Sequence, residues 1–414
     1  MNSVAFIFIM KRIRHYIFLR DVAWLAIAAF GGPQVHIALF IDMFVKKRGY
    51  LTEKEFMELN ALCQILPGPT STQTIVALGF KIGGPQLAYL TLLIWALPAV
   101  ITMTILGITI SYFNNQSLSL DFLRFVQPLA VGLVCYAAFR ITKMVVNTRT
   151  GVLLLIISTV CAFVFRSPFV FPLVVVFGGL VTALSRFKDQ DKEEPEPLKI
   201  EWANFFLYVS VMLVIGIGIL IIGIKNTPLW VRLFENFYRN GSFIFGGGQV
   251  LIPVLFTEFV EFKGYLTEQE FLSGFGLGQC VPGPVFSFVS FIGAISMRGA
   301  GVGGEIWGAF VAAAGIFLPG TFLIFFVIRF WEQLKKYRIV KASLEGIHAA
   351  SSGLVIAAGL LLLTPIIRPE HGAQDINTIL LNLSLVVGAF LVLTFTKIKP
   401  PWIILTGLLA GILL

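Results

Sequence analysis

Long apolar stretches separated by short polar ones dominate the chain, near residues 21–45, 86–112, 120–146, 151–165 and 168–185, then 203–224, then 236–260, 305–329, 343–367, 376–393 and 400–414. A helix crossing about 30 Å of hydrocarbon takes roughly 20 mostly apolar residues, so the longer stretches read as membrane spans. Two of them are interrupted in mid-stretch, by Gly31, Gly32 and Pro33 and by Gly246, Gly247 and Gly248, where regular helical hydrogen bonding must break. The interruptions belong to a duplication with an offset of 215 residues. FGGPQV at 30–35 returns as FGGGQV at 245–250, GYLTEKEF at 49–56 as GYLTEQEF at 264–271, and QILPGP at 64–69 as QCVPGP at 279–284. From Phe30 to Pro69, 20 of 40 positions match without a gap, and beyond Pro69 a shift of six pairs Gly83 with Gly304, Pro98 with Pro319 and Gly132 with Gly353.

Composition sets the solvent. With 57% hydrophobic and 13% charged residues and a mean hydropathy of +0.88, the chain has more apolar surface than a soluble domain buries, and a bilayer must take up the rest. Cys63, Cys135, Cys161 and Cys280 lie singly in apolar stretches and read as small hydrophobic side chains, with no metal or redox pattern. The apolar run Val4 to Met10 precedes Lys11, Arg12 and Arg14, the reverse order of a secretory signal. The expected organisation is a basic N-terminal arm over 1–20, a first membrane repeat over 21–185, a charged cytoplasmic linker over 186–201, a connecting transmembrane helix over 202–228 and a second repeat over 229–414.

Loop charges give direction. Arg140, Lys143 and Arg149 gather at the end of the 120–146 span and just beyond it, while the loop before it, 114–121, has no basic residue. In the second repeat the pattern flips, because Arg329, Lys335, Lys336, Arg338 and Lys341 crowd the loop equivalent to the uncharged one. Basic loops stay cytoplasmic, so equivalent loops are expected on opposite sides, as inverted repeats require. Residues 53–81, which carry the first PGP, read either as one broken crossing or as a re-entrant hairpin. An odd number of crossings between equivalent points selects the broken crossing, for about 13 spans in all with a cytoplasmic N-terminus. Lys46, Lys47 and Arg48 then fall outside, against the rule, with Glu53, Glu55 and Glu58 nearby.

The candidate chemistry lies at the breaks. Non-helical backbone at membrane depth is tolerated where it lines a cavity, and paired broken helices in corresponding positions of two halves point to a transporter site near the midplane. Each PGP turn starts a helix whose free N–H groups and positive dipole end attract an anion. Thr70, Ser71, Thr72 and Ser287 add hydroxyls near the PGP turns, and Gln34, Gln64, Gln249 and Gln279 add amide donors. The expected substrate-binding set is therefore Gly31, Gly32, Gln34, Gln64, Gly68, Thr70, Ser71, Thr72, Gly247, Gln249, Gln279, Gly283 and Ser287. Pro33, Pro67, Pro69, Pro282 and Pro284 shape the breaks. Thr52 with Glu55 and Thr267 with Glu270 match a helix capping box. His36, whose counterpart is Leu251, reads as a core or interface histidine, and Asp42 and Glu258 read as interfacial. No residue stands out as a proton carrier.

FGGPQV, LPGPTSTQT, FGGGQVLIP and VPGPVFSF, set in two halves joined by an extra hydrophobic segment, resemble long-chain members of the chromate ion transporter family from about residue 20 onward. The resemblance implies an all-α polytopic carrier of the bacterial inner membrane that exports chromate, with sulfate as a close structural analogue. Gly31, Gly32, Pro33, Gln34, Pro67, Gly68 and Pro69 carry over, as do Gln249, Pro282, Gly283 and Pro284; Gly248 departs, standing where the first half has proline. A membrane-embedded enzyme would show paired carboxylates, a metal triad or a nucleophile with its base at membrane depth, and the chain has none. A carrier of sulfate or another oxyanion, or an anion channel of the same architecture, is the alternative. The expected partners are the oxyanion and the lipid bilayer, without cofactor, metal or nucleic acid, and a homo-oligomer is compatible with the pattern.

Overall fold

The computed structural model describes residues 3–116, 121–185, 202–245, 248–331, 338–367 and 376–413. The 186–201 linker, Gly247 and the side chains of Gln34 and Gln249 lie outside what is described. The described residues are helical throughout, in an order that repeats. The first half holds α1 Ser3–Ala28, α2 Pro33–Phe40 running into a π-helical segment Ile41–Lys47, α3 Glu53–Ile65, α4 Thr70–Asn115, α5 Val126–Val145, α6 Arg149–Phe165 and α7 Val170–Ser185. After α8 Ala203–Ile222 come the equivalents: α9 Leu229–Phe243, α10 Gly248–Phe256 with its π-helical Thr257–Phe262, α11 Glu268–Gly278, α12 Phe288–Ser296 with α13 Gly301–Val327, α14 Arg338–Ile367, α15 Ile376–Phe395 and α16 Pro400–Leu413. The helix α1 begins at Ser3, so the expected arm and first span are one helix.

At each glycine–proline break the chain folds back on itself instead of running on. Across the FGGP break, Phe18 meets Phe44 with ring centroids 5.3 Å apart, the Arg14 guanidinium sits 5.2 Å over the Tyr50 ring, and Arg48 donates two hydrogen bonds to Asp21 at 2.6 and 2.9 Å. These pairs straddle residue 32 almost evenly, the signature of an antiparallel hairpin. The second half repeats it around residue 248, where Phe237 stacks on Phe259 at 4.6 Å and Asn240 donates to Glu258 at 2.7 Å. The PGP segments are hairpins too. Thr74 donates to Asn60 at 3.3 Å across the first, and Phe271 packs edge-on against Phe288 at 5.1 Å across the second.

A second reversal follows each PGP hairpin. Gly84 adopts φ 77° inside α4, a conformation open to glycine at little cost, and divides α4 into arms 70–83 and 85–115. The arms run antiparallel, because the Trp95 indole N–H donates to Thr72 at 3.2 Å and a Cβ on Gly79 would stand 2.6 Å from the Thr91 hydroxyl. In the second half Gly293 of α12 lies directly against Gly308 of α13 in the same way. The FGG motifs, expected in mid-span, and the PGP segments, expected each to form one broken crossing, instead lie at the turns of antiparallel helix pairs. An apolar stretch near 25 residues long can be one crossing or two shorter arms, and hydropathy alone does not separate the two.

Among the described residues, six helical stretches are long and apolar enough to span a bilayer: Thr70–Asn114, which Gly84 divides, Asp121–Lys143, Ala203–Ile222, Arg298–Val327, Ala342–Ile367 and Ile376–Phe395. The shorter α6, α7 and α16 continue the same array. The halves interlock, with α14 packed on α6 and α7 and α5 packed on α15 and α16. Small residues permit the approach: a Cβ on Gly132 would stand 2.7 Å from the Val386 carbonyl oxygen, and one on Gly178 2.7 Å from that of Gly346. In contrast, α8 buries no side chain, as a lipid-facing connector does.

Candidate functional site

The four hairpin tips meet inside the molecule, and each half completes the other. The Gly68 N–H of the first PGP donates to the Ile244 carbonyl at the FGGG break, 2.8 Å away, and the Gly283 N–H of the second PGP donates to the Ala29 carbonyl at the FGGP break, 3.0 Å away. Ala29 and Ile244 are equivalent, as are Gly68 and Gly283. Carbonyls at helix C-termini lack intrahelical partners, and the opposite half's glycine supplies one. Both glycines need positive φ, 117° and 97°. Contacts with the crossing helices are reciprocal as well: a Cβ on Gly68 would lie 3.4 Å from Gly320 of α13, and one on Gly283 would lie 3.3 Å from the Cβ of Ala99 in α4.

Because the tips are turns, every returning arm starts there. The helix α2 opens with Gly32 and Pro33, and α4 opens behind Pro69; neither has a side-chain cap. Proline at the first helical position loses no intrahelical bond. The arms beginning at Gly248 and Val285 start at the second half's tips. Four positive helix ends thus gather at one place, a setting that favours negative charge.

The side chains there are unequal between the halves. In the first, His36, Asn60, Ser71, Thr72, Gln73 and Thr74 are all buried. Ser71 Oγ lies 3.1 Å from His36 Nδ1, and Gln73 Nε2 donates to the Pro67 carbonyl at 2.7 Å and, across the halves, to that of Gly320 at 3.3 Å. His36 Nε2 and Gln73 Oε1 make no hydrogen bond. The equivalent second-half residues are Leu251, Phe275, Phe286, Ser287, Phe288 and Val289, of which only Ser287 is polar; its hydroxyl is buried and makes no hydrogen bond. A cavity of about 10 Å³ adjoins it, lined by Gln279, Pro284, Ser287, Phe275, Phe288 and Met103. That is room for about one water.

Most of the sequence-predicted residues that are described come together at these tips. Pro67, Gly68, Pro69, Ser71, Thr72, Gly283, Pro284 and Ser287 are buried there, with Gly32, Pro33, Thr70, Gln279 and Pro282 half-buried and Gly31 exposed. Gln64 departs, its side chain exposed two residues before the turn. Sequence reasoning passed over Gln73 and set His36 aside. The available signal was comparison of the two repeats position by position beyond the PGP, which shows a polar run in one copy against phenylalanine and valine in the other.

Away from the tips, Asp42 is exposed and pairs with Lys46 at 2.9 Å, whereas Glu258 is enclosed by protein. Glu258 is fully buried and takes Arg239 at 2.6 Å, Asn240 at 2.7 Å and Lys263 at 3.2 Å, because the fold-back at residue 248 brings α9 over it. Both capping boxes form, with Glu55 accepting from the Thr52 N–H at 2.7 Å and Glu270 from the Thr267 N–H at 2.9 Å. Glu270 also pairs with Arg298 and accepts from Asn114 at 2.7 Å.

An all-helical membrane protein built from apolar crossing helices, with broken-helix tips gathered inside it, is a polytopic transporter in architecture. The chromate transporter family model matches residues 17–183 and 231–412, and the chain belongs to that family. It is 29% identical over 343 residues to an uncharacterised transporter of Methanocaldococcus jannaschii, covering 80% of each chain. With a chromate transport protein of Pseudomonas aeruginosa it shares 27% identity over 392 residues, covering 92% of this chain and 88% of the relative. An uncharacterised transporter of Bacillus subtilis is 26% identical over 184 residues, which is 44% of this chain but 94% of that shorter protein. No solved structure matches.

Proposed function

We propose that the protein is a carrier that exports chromate, or a closely related tetrahedral oxyanion, through a seat at the convergence of the four tips. The observation that carries this reading is the reciprocal pairing of Gly68 with Ile244 and of Gly283 with Ala29, which brings four helix N-termini together. In the seat, backbone donors near Gly31, Gly32, Gly68, Gly247 and Gly283 replace the anion's hydration, assisted by Thr70, Ser71, Thr72, Ser287, Gln34, Gln249 and Gln279. Exposed Gln64 meets the anion on its way in.

The hairpins suggest a topology of nine full crossings and four re-entrant hairpins in place of about 13 spans. Four crossings in the first half and α8 make five between equivalent points, an odd number, so the repeats at 21–185 and 229–414 are inverted about the connecting segment 202–228. Loop charge supports it. Lys46, Lys47 and Arg48 now lie on the same side as Lys11, Arg12 and Arg14, while their counterparts across the membrane are Glu261, Phe262 and Lys263. The exception to the positive-inside pattern disappears, and the 186–201 linker falls in the cytoplasm.

Direction follows from charge. A dianion leaving an inside-negative cell gains about 4.6 kcal/mol per 100 mV, twice the value for one charge, so export needs no further coupling to be driven. The test is labelled chromate uptake into inside-out vesicles, with sulfate as competitor. Uptake should saturate, rise when the lumen is made positive and fall with added sulfate. Vesicles that take up no more chromate than controls under either sign of potential would remove the reading, and non-saturating flux would turn the carrier into a channel.

A further inference from the structure

The only titratable side chain touching the first-half polar cluster from α2 is His36, and the carrier reading gives it no task. It is fully buried, one turn beyond the FGGP tip. Its Nδ1 is 3.1 Å from Ser71 Oγ, one residue inside the helix that starts at the first PGP. The Ala29 carbonyl, which accepts from Gly283 of the second PGP, lies beside the ring, and Nε2 closes no hydrogen bond. His36 therefore stands between the two PGP tips with one nitrogen uncommitted. The pair has changed together in the other half, where Leu251 and Phe286 hold the positions of His36 and Ser71. If His36 served packing alone, that apolar pair would serve equally well in the first half, without the cost of burying an unsatisfied nitrogen.

Resting on the carrier reading, we infer that His36 is a ligand of the oxyanion through Nε2 and takes up one proton as the dianion seats. A neutral imidazole has one donor and one acceptor nitrogen, whereas the imidazolium has two donors; Ser71 accepts from one and an anion oxygen from the other. The balance is dianion plus proton plus neutral His36 giving a bound ion pair of net charge −1. Among the described residues no other charge faces the ring. The groups that do are Ser71, the Ala29 carbonyl, the Trp95 ring at 5.2 Å and Phe40 at 6.3 Å, all uncharged. Among titratable groups on the neighbouring helices, Asp21 of α1 is held by Arg48, Cys63 of α3 is fully buried beside Thr74, and Lys81 lies at the far end of its arm of α4. Arg48 itself is 12 residues beyond His36, about 18 Å along the returning arm.

The experiment is chromate binding to the full-length protein in nanodiscs from about pH 6 to about pH 9, a range bracketing an ordinary imidazole. Wild type and H36Q are compared, since glutamine can still bond Ser71 but cannot titrate. Chromate itself takes up a proton near neutrality, and that speciation is common to both proteins, so the difference between their slopes belongs to residue 36. Wild-type affinity should fall with rising pH more steeply than H36Q affinity, by up to about tenfold per pH unit. Equal slopes overturn the inference. Should H36Q fail to fold, proton uptake by the wild type on adding chromate at about pH 8 decides: uptake above a protein-free blank supports a titrating ligand, and none overturns it while leaving the carrier intact. Failure of the wild type to bind chromate at all removes both.

Discussion

Gly68 and Gly283 hold the tips in a backbone region that other residues enter at a cost of about 1–3 kcal/mol, and a Cβ on Gly68 would also press within 3.1 Å of Gln73 Nε2. Gly68→Ala should lower unfolding stability in detergent by about that amount and depress chromate flux. Gly216→Ala, on the lipid-facing α8 with nothing within 4 Å, should be neutral or stabilising by up to about 1 kcal/mol. Thermal unfolding at matched expression separates the two, and equal effects would refute the special role of Gly68. Glu258 offers a second check. Arg239→Met should cost about 3–5 kcal/mol by leaving a buried carboxylate with fewer partners, and adding Glu258→Met should recover part of it in a double-mutant cycle. At this scale the motif residues were readable because glycine and proline announce broken backbone. Glu258 was not, because its partners lie on a helix that only the fold-back brings near.

The hairpins make a topological prediction that the broken-crossing reading denies. Single cysteines at Lys47 and Lys81 should be labelled from the same side as one after Val146, and cysteines at Phe262 and Asn114 from the opposite side. Labelling of position 47 from the outside would restore the broken crossing. At the mouth of the PGP hairpin, the Thr52 N–H and hydroxyl hold the Glu55 carboxyl below its usual value. A depressed carboxylate contributes stability above its unfolded value and loses it as pH falls through the folded one. Thr52→Ala should therefore weaken the start of α3 near neutrality and weaken it less under acid conditions, read as hydrogen exchange over 53–58. Among the elements, the crossing helices and capping boxes were legible in periodicity and spacing. The hairpins were not, since an arm and half a span have the same composition. The misplaced Lys46, Lys47 and Arg48 were the clue, a local conflict with the charge rule that the fold-back resolves.

Across the whole molecule, most of the packing that holds one half together comes from the other: α14 lies on α6 and α7, α5 on α15 and α16, and each PGP tip on the opposite half's crossing helix. A chain divided within 186–201 should therefore reassemble when its two parts are co-expressed, restoring chromate flux and co-purifying, while either part alone should give no flux. Independent accumulation of folded, active parts would contradict this interlock. The duplication was plain in the sequence. The exchange of partners between the copies was not, since similarity says which residues are equivalent and nothing about which copy each one touches. The bonds joining Gly68 to Ile244 and Gly283 to Ala29 are made by backbone alone, so their geometry is indifferent to the side chains beside them. A gene that doubles begins with two identical halves, and contacts of this kind leave its copies free to diverge in chemistry while staying matched in shape. One copy could then keep the hydroxyls, amides and imidazole while the other became a greasy counterpart, a division of labour closed to tips joined by side-chain pairs.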